Sequence, residues 1–95
     1  MARKQAFLNA VWADQFKESY AKLQASEQKA ADKVTLALIK GEVTPRMRIK
    51  PIEPEKYYNE ARVNDGDRLV HRIDAGTVYF VDIVPHDRIN KYGSR

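Results

Sequence analysis

The feature that most constrains the fold is a pair of tight-turn signals that divides the second half of the chain into three strand-length segments. These segments span residues 57–63, 69–73 and 77–84. Asp65-Gly66 separates the first two, and an Asp-Gly pair between strand-like segments is a strong hairpin signal. Gly76 lies in a second tight turn, and Pro85 ends the third segment because proline cannot donate to a sheet ladder. The pattern predicts a three-stranded antiparallel meander.

The N-terminal half of the chain has helical periodicity. Phe16, Tyr20 and Leu23 recur at i, i+4 and i+7, which predicts one face of an amphipathic helix. A second helix is predicted from a cap at Ser26 to a C-cap glycine at Gly41. Its apolar stripe comprises Ala30, Val34 and Leu38, with Ala31 and Ala37 beside it. Two antiparallel helices joined by a short turn are the simplest interpretation.

Residues 6–12 lead into this helical region and admit two interpretations. They form either a short strand or the first turns of one long helix. Asp14 is a natural N-cap for the segment that follows, which favours the strand. A chain of 95 residues has room for one core only. Residues 1–95 are therefore predicted to form a single α+β domain, in which a short N-terminal strand and a two-helix hairpin pack on an antiparallel sheet with a C-terminal meander.

Composition excludes several classes of protein. The chain has no cysteine and only two histidines, His71 and His86, so disulfides are excluded and we expect no metal and no other cofactor. No run approaches the roughly 20 apolar residues of a membrane helix. The basic start at residues 1–5 is not followed by an uninterrupted apolar region, so we expect a cytoplasmic protein without a membrane partner.

A local basic run stands out within a net charge of +4. Arg46, Arg48 and Lys50 alternate with Met47 and Ile49 in an irregular, proline-flanked connection. Such a run is either a solvated loop or strand edge, or a stripe that contacts phosphates. Charge alone does not decide between the two.

Strand alternation collects chemically active side chains on one face of the predicted meander. If the helices cover the other face, the open face carries Tyr58, Glu60, Arg62, Arg68, Arg72, Asp82 and His86. In the third strand the odd positions, Thr77, Tyr79, Val81 and Ile83, are then predicted to be core. Cleavage of an RNA phosphodiester without a metal needs a base, cations for the phosphorane and an acid, and this face offers all three. The same set is also typical of a solvent face with cross-strand ion pairs.

The order of elements in the C-terminal half has a counterpart in a known family. The stretch 62–73 contains an arginine, a tight turn, a second arginine and an apolar strand. A last strand-like segment at 76–84 and a closing segment with His86 and Tyr92 follow it. Preceded by paired helices, this order resembles the RelE/ParE family of toxin–antitoxin toxins over about residues 6–92.

Members of the RelE branch are ribosome-dependent endoribonucleases that cut mRNA and are held inactive by a cognate antitoxin. The resemblance implies a metal-free mRNA endonuclease that has the ribosome, mRNA and a cognate antitoxin as partners, with a toxin–antitoxin hetero-oligomer as one expected assembly. By position, Arg68 and Arg62 would stabilise the phosphate. His86 would be the general acid, and Tyr92 a base-stacking or proton-relay group. Glu60, which stands with Tyr58 where RelE has two lysines, would be the general base. Further RNA contacts are expected from the basic side chains Arg46, Arg48, Lys50, Arg72, Arg88 and Lys91.

Two other functions stay open. ParE-branch members inhibit DNA gyrase and are not nucleases, so a non-nucleolytic gyrase inhibitor is the first alternative. A degenerate, non-toxic relative that only binds RNA or a protein partner is the second. His86 and Tyr92 favour the nuclease, because a pure binding module needs no acid or stacking group at those positions.

Overall fold

The computed structural model describes residues 7–94 and shows an α+β fold. The strands are β1 (Asn9–Trp12), β2 (Lys50–Pro51), β3 (Asn59–Arg62), β4 (Asp67–Asp74) and β5 (Thr77–Pro85). The α-helices are α1 (Asp14–Ala21) and α2 (Ala25–Lys40), and 3₁₀ helices cover Pro45–Met47 and His86–Tyr92. The predictions that concern residues 1–6, including the basic start, lie outside the described residues.

The five strands form one mixed sheet in the order β1-β5-β4-β3-β2. β3, β4 and β5 are antiparallel neighbours, which confirms the predicted meander. The strand interpretation of the N-terminal segment is also confirmed, and β1 pairs in parallel with β5 so that Val11 lies opposite Tyr79. β2 adds a short strand beside β3, with Lys50 opposite Glu60. The sequence predicted an irregular, proline-flanked connection in this segment, so β2 was not predicted.

The helix ends follow local capping chemistry, with two differences from the sequence prediction. α2 begins after Gln24, whose side chain forms a reciprocal capping box with Glu27, so the predicted cap at Ser26 is wrong. The N-cap of α1 is Ala13, and Asp14 lies in the first turn, where its carboxylate interacts favourably with the helix dipole. Gly41 ends α2 in the left-handed conformation, with φ at 72°, as predicted.

The main core lies between the two helices and one face of the sheet. The helices contribute Phe16, Ala31, Val34 and Leu38, which are buried at helical spacing. The sheet contributes Ala61, Leu69, Val78, Phe80 and Ile83. The rings of Phe16 and Phe80 lie with their centroids 5.7 Å apart, which joins α1 to the middle of β5. The helical hairpin therefore covers one sheet face, as the sequence predicts.

A bulge in β5 makes part of the predicted core of that strand wrong. Val70 pairs with Asp82 and the next residue of β4 pairs with Phe80, so Val81 is an extra residue without a register partner. Before the bulge the even positions face the helices: Phe80 is fully buried, whereas Tyr79 is 39% exposed. After it the parity reverses and Ile83 is the core residue. The odd-position prediction is therefore wrong for the first half of β5 and right for its end.

The opposite sheet face is partly covered. Ile52, Val70 and Val84 form a second, smaller buried cluster, against which Tyr58, Val81, Ile89 and Tyr92 pack. The 3₁₀ helix His86–Tyr92 and the segment that precedes β3 thus cover the middle of this face. The prediction of an open face is therefore wrong for Glu60 and Asp82, which are buried, whereas His86 is exposed. The other side chains predicted to lie on this face are partly buried: Tyr58, Arg62, Arg68 and Arg72. Within residues 7–94, no helix is both long and apolar enough to cross a bilayer.

Candidate functional site

The turn between β3 and β4 is organised by Asn64 and Arg68. The side-chain oxygen of Asn64 accepts hydrogen bonds from the backbone N–H groups of Gly66 (2.9 Å) and Asp67 (2.8 Å). The Nη1 atom of Arg68 donates to the carbonyl oxygens of Asn64 (2.8 Å), Asp67 (3.0 Å) and Asp65 (3.3 Å). These bonds fix the Arg68 guanidinium against the hairpin tip.

Two further charged side chains that the sequence singled out lie beside Arg68. Arg62 is its register partner on β3, and the Glu60 carboxylate lies 3.7 Å from the Arg68 Nε atom. Glu60 is buried, with 10% of its side chain exposed, so this ion pair is shielded from solvent more than a surface pair. Arg62 forms an ion pair with the exposed carboxylate of Asp65.

His86 joins this group from the other end of the chain. It follows β5 directly, and its backbone N–H donates to the carbonyl oxygen of Gly66 in the β3–β4 turn at 2.8 Å. Its side chain is exposed. The fold therefore brings Glu60, Arg62, Arg68 and His86 to one end of the sheet, and we call these four residues the hairpin-tip cluster.

Tyr92 is held by a buried carboxylate. Asp82, which is 1% exposed, accepts hydrogen bonds from the Ser19 hydroxyl (2.5 Å), the Ile83 backbone N–H (2.7 Å) and the Tyr92 hydroxyl. Burial and then the Asp82 carboxylate raise the pKa of Tyr92 far above its ordinary value. Its ring packs edge-on against Tyr58, with centroids 5.8 Å apart. Tyr92 is thus a protonated donor that fastens the C-terminal 3₁₀ helix to the sheet.

A cationic groove runs from the hairpin tip onto α2. It has a volume of about 500 Å³ and is lined by the cations Lys29, Lys33, Arg46 and Arg62. Its apolar lining comprises Ala30, Val34, Met47 and Val63. None of the described residues that line it is acidic. The sequence interpretation missed Lys29 and Lys33, although their i, i+4 spacing places both on one face of α2.

The other predicted RNA contacts are distributed around the site. Arg48 and Lys50 are exposed in the connection before and at β2, and Arg88 and Lys91 are exposed on the C-terminal 3₁₀ helix. Lys91 lies over the Tyr92 ring at 5.4 Å. Arg72 lies four residues along β4 from Arg68 and stacks on Tyr57. Among residues 7–94 no group of three or more potential metal ligands is assembled.

These features define an α+β protein that has a helical hairpin on one sheet face and a charged hairpin tip beside the other. No known protein-family profile matches the sequence, and no curated protein matches it significantly. Several solved structures are nevertheless similar to this chain in fold. One is in the DinJ–YafQ toxin–antitoxin complex of E. coli, with a TM-score of 0.74 and 14% identity over 84% of this chain and 93% of that one.

Two more solved structures share the architecture. The RelBE2 toxin–antitoxin complex of Mycobacterium tuberculosis gives a TM-score of 0.67 at 20% identity, over 84% of this chain and 99% of the other. The YoeB/ParE toxin of Agrobacterium tumefaciens gives a TM-score of 0.70 at 13% identity, over 83% of this chain and 99% of the other. The chain therefore has the RelE-like toxin fold, which confirms the fold that the sequence resemblance implied.

Proposed function

We propose that the chain is the toxin of a type II toxin–antitoxin pair and that it cleaves mRNA on the ribosome without a metal. The observation that carries the proposal is the hairpin-tip cluster, which combines a carboxylate, two arginines and an imidazole at one end of the sheet of a RelE-like fold. We further propose that residues 1–95 act as one domain in the cytoplasm. The toxin–antitoxin complexes among the similar structures support a cognate antitoxin as partner.

In the proposed reaction each member of the cluster has one role. The Glu60 carboxylate takes the proton of the 2′-hydroxyl, whose oxygen then attacks the adjacent phosphorus. Arg68 and Arg62 stabilise the negative charge of the phosphorane. His86 donates a proton to the departing 5′-oxygen. The products are a 2′,3′-cyclic phosphate and a 5′-hydroxyl, so protons and charges balance without a co-reactant.

The contacts of Arg68 indicate which of its atoms meets the phosphate. Three turn carbonyls accept from Nη1, and the Glu60 carboxylate lies next to Nε. Within the described part of the chain, Nη2 has no hydrogen-bond partner. A phosphate oxygen at Nη2 would complete the donor set of a guanidinium that is already oriented. The cationic groove supports the same proposal, because it offers phosphate contacts that continue from the tip.

The proposal is tested by induced expression with primer extension on cellular mRNA. We expect translational arrest and new mRNA ends for the native chain, and a loss of at least tenfold in cleavage for Glu60→Gln, Arg68→Lys and His86→Gln. Arg68→Lys is preferred to Arg68→Ala because the arginine also supports the turn. Lys22→Gln, a charge change on an exposed residue, is the control.

Three outcomes would count against this proposal. Full toxicity of both Arg68→Lys and His86→Gln, with native circular dichroism, would refute the assignment of the site. DNA damage without mRNA cleavage would indicate a ParE-like inhibitor of gyrase, and unimpaired growth with intact mRNA would indicate a non-toxic binding protein. Co-purification with the product of a neighbouring short gene would test the antitoxin partner separately.

A further inference from the structure

A second groove lies on the sheet face that carries Glu60 and Arg68, toward the opposite end of the strands. It has a volume of about 430 Å³. Its polar and aromatic lining comprises Tyr57, Tyr58, Arg72, Asp74, Tyr79 and Phe80. We propose that this aromatic groove binds an unpaired nucleobase of the RNA, two or more positions away from the scissile bond. The proposal rests on the proposed function and adds a base-binding subsite to it.

Arg72 is the fixed centre of the aromatic groove. Its guanidinium carbon lies 3.9 Å from the centroid of the Tyr57 ring, and its Nη1 donates to the Tyr57 carbonyl oxygen at 2.9 Å. Stacking and hydrogen bond together hold a planar cation in one orientation. Planar guanidinium groups and aromatic rings are the surfaces on which proteins stack unpaired RNA bases.

The bulge in β5 brings Tyr79 to this groove. Because parity reverses at Val81, Tyr79 points away from the helices and lies opposite Arg72 in the strand register. It is 39% exposed, and its parallel partner Val11 on β1 is 47% exposed. A partly exposed tyrosine near the start of β5 gives the groove an accessible aromatic wall beside the stacked arginine.

The charge of the aromatic groove distinguishes its ligand from that of the cationic groove. One cation, Arg72, and one carboxylate, Asp74, line it, so it has no net attraction for phosphate or for an acidic peptide. The cationic groove, by contrast, has four cations. A flat, neutral group with hydrogen-bond donors suits the aromatic groove, since the rings stack on its face and Asp74 accepts from an amino group. A nucleobase has these properties.

The spacing along β4 sets the place of this base relative to the reaction. Arg68 and Arg72 lie on the same sheet face, four residues apart, which is about 13 Å at roughly 3.3 Å per residue. One nucleotide step in a stacked strand is about 3.4 Å. A base in the aromatic groove therefore belongs to a flanking nucleotide and sets a sequence or spacing preference, while the hairpin-tip cluster acts on the phosphate.

The test is a binding cycle with single-stranded RNA oligonucleotides, using the catalytically impaired Arg68→Lys chain so that the RNA is not cut. Tyr79→Ala and Arg72→Gln are compared with Tyr79→Phe, which keeps the ring, and with Phe7→Ala, an exposed aromatic residue outside the groove. Each is measured with an intact oligonucleotide and with oligonucleotides that lack one base at a scanned position but keep every phosphate.

We expect Tyr79→Ala and Arg72→Gln to weaken binding of intact RNA by roughly tenfold, in line with the loss of one stacked base. Tyr79→Phe and Phe7→Ala should bind as the parent does. When the base is removed at one particular position of the RNA, the Arg68→Lys parent should lose affinity by the same factor. Adding Tyr79→Ala should cause no further loss of affinity for that abasic RNA. Equal binding by all variants, or equal further losses at every abasic position, would overturn the inference.

The outcome separates this inference from the proposed function. RNA that is bound through the aromatic groove, together with mRNA that the native chain never cuts on the ribosome, would refute the nuclease and leave the base site intact. Cleavage that needs the hairpin-tip cluster but is indifferent to Tyr79 and Arg72 would refute the base site alone. If these variants instead lose a protein partner while RNA binding is unchanged, the groove binds protein and the inference is wrong.

Discussion

Replacing His71 tests how strongly the burial of this side chain controls the pH dependence of the free energy of unfolding. His71 lies in β4 between Asn59 and Phe80, its register partners on the neighbouring strands. It is 1% exposed, and its Nδ1 atom has no hydrogen-bond partner among residues 7–94. Burial lowers the pKa of His71 from its ordinary value of 6.5 to about 4, although a backbone hydrogen bond at Leu69 opposes the shift. The imidazole is therefore neutral in the folded protein at neutral pH.

The sign and size of the effect follow from this difference in pKa. Below pH 6.5 the unfolded chain binds a proton at this histidine, whereas the folded chain binds it only near pH 4. The free energy of unfolding is therefore highest above pH 6.5 and falls as the pH drops through this window. A difference of about 2.5 pKa units corresponds to about 3 kcal/mol at 1.36 kcal/mol per unit. That is a large part of the roughly 5–15 kcal/mol that stabilises a typical domain.

The assay is urea denaturation of the native chain and of His71→Gln at several pH values between about 7 and about 4. Subtracting the two curves removes contributions common to both, including that of Asp67, whose pKa is raised chiefly by burial and which therefore acts in the opposite direction. We expect the stability advantage of the native chain to decline by about 3 kcal/mol across this range. Asn90→Gln, an exposed substitution that keeps His71 and changes no ionisable group, should retain the native pH dependence. Parallel curves for the native chain and His71→Gln would refute the reasoning.

Three further predictions concern the C-terminal 3₁₀ helix and the cationic groove. Tyr92→Phe removes a donor to the buried carboxylate of β5 and should lower the free energy of unfolding by about 1–3 kcal/mol; an unchanged urea midpoint would contradict the assigned hydrogen bond. Gly93→Ala places a Cβ atom 1.9 Å from the Glu53 carbonyl oxygen, and we expect a loss of about 1–3 kcal/mol from the forced shift, read as a lower thermal midpoint. Replacing Lys29 and Lys33 together by glutamine should reduce the slope of log K for single-stranded RNA against log salt by about 1.4, or about 0.7 for each lost phosphate contact; an unchanged slope would exclude the groove from RNA binding.

The sequence predicts those parts of the fold that are specified locally. The spacing of Phe16 and Tyr20, the glycine at Gly41 and the Asp65-Gly66 turn each act within a few residues, and the helices and the meander were predicted from them. The bulge at Val81 is not local, because it arises from how β5 pairs with β4 across the sheet. The alternation of β5 by itself gave the wrong face for Tyr79.

In the candidate site, too, the residues placed by local alternation were predicted, and the contacts that depend on the whole fold were not. Glu60, Arg62 and Arg68 were assigned to one face by alternation in β3 and β4, where pairing is regular, and the structure places them together. The hydrogen bond from Tyr92 to Asp82 joins positions in a strand and in the 3₁₀ helix after it, and no periodicity reports such a contact. Lys29 and Lys33 were missed for a related reason. Two lysines on a helix are ordinary until the fold places Arg46 and Arg62 across from them.

Arg68 joins local stability to the proposed chemistry. Its Nη1 satisfies three carbonyl oxygens of the β3–β4 turn, and those bonds hold in place the guanidinium whose Nη2 atom is proposed to meet the phosphate. The backbone N–H of His86 donates a hydrogen bond to the Gly66 carbonyl oxygen in this turn, so the position of the proposed acid depends on the same loop. Loss of activity in Arg68→Ala would therefore have two causes, a missing cation and a displaced imidazole. Arg68→Lys keeps the positive charge but cannot reproduce the planar, several-donor geometry of the guanidinium. A lysine variant that folds, keeps its RNA affinity and loses cleavage would thus locate the requirement in the orientation of the charge.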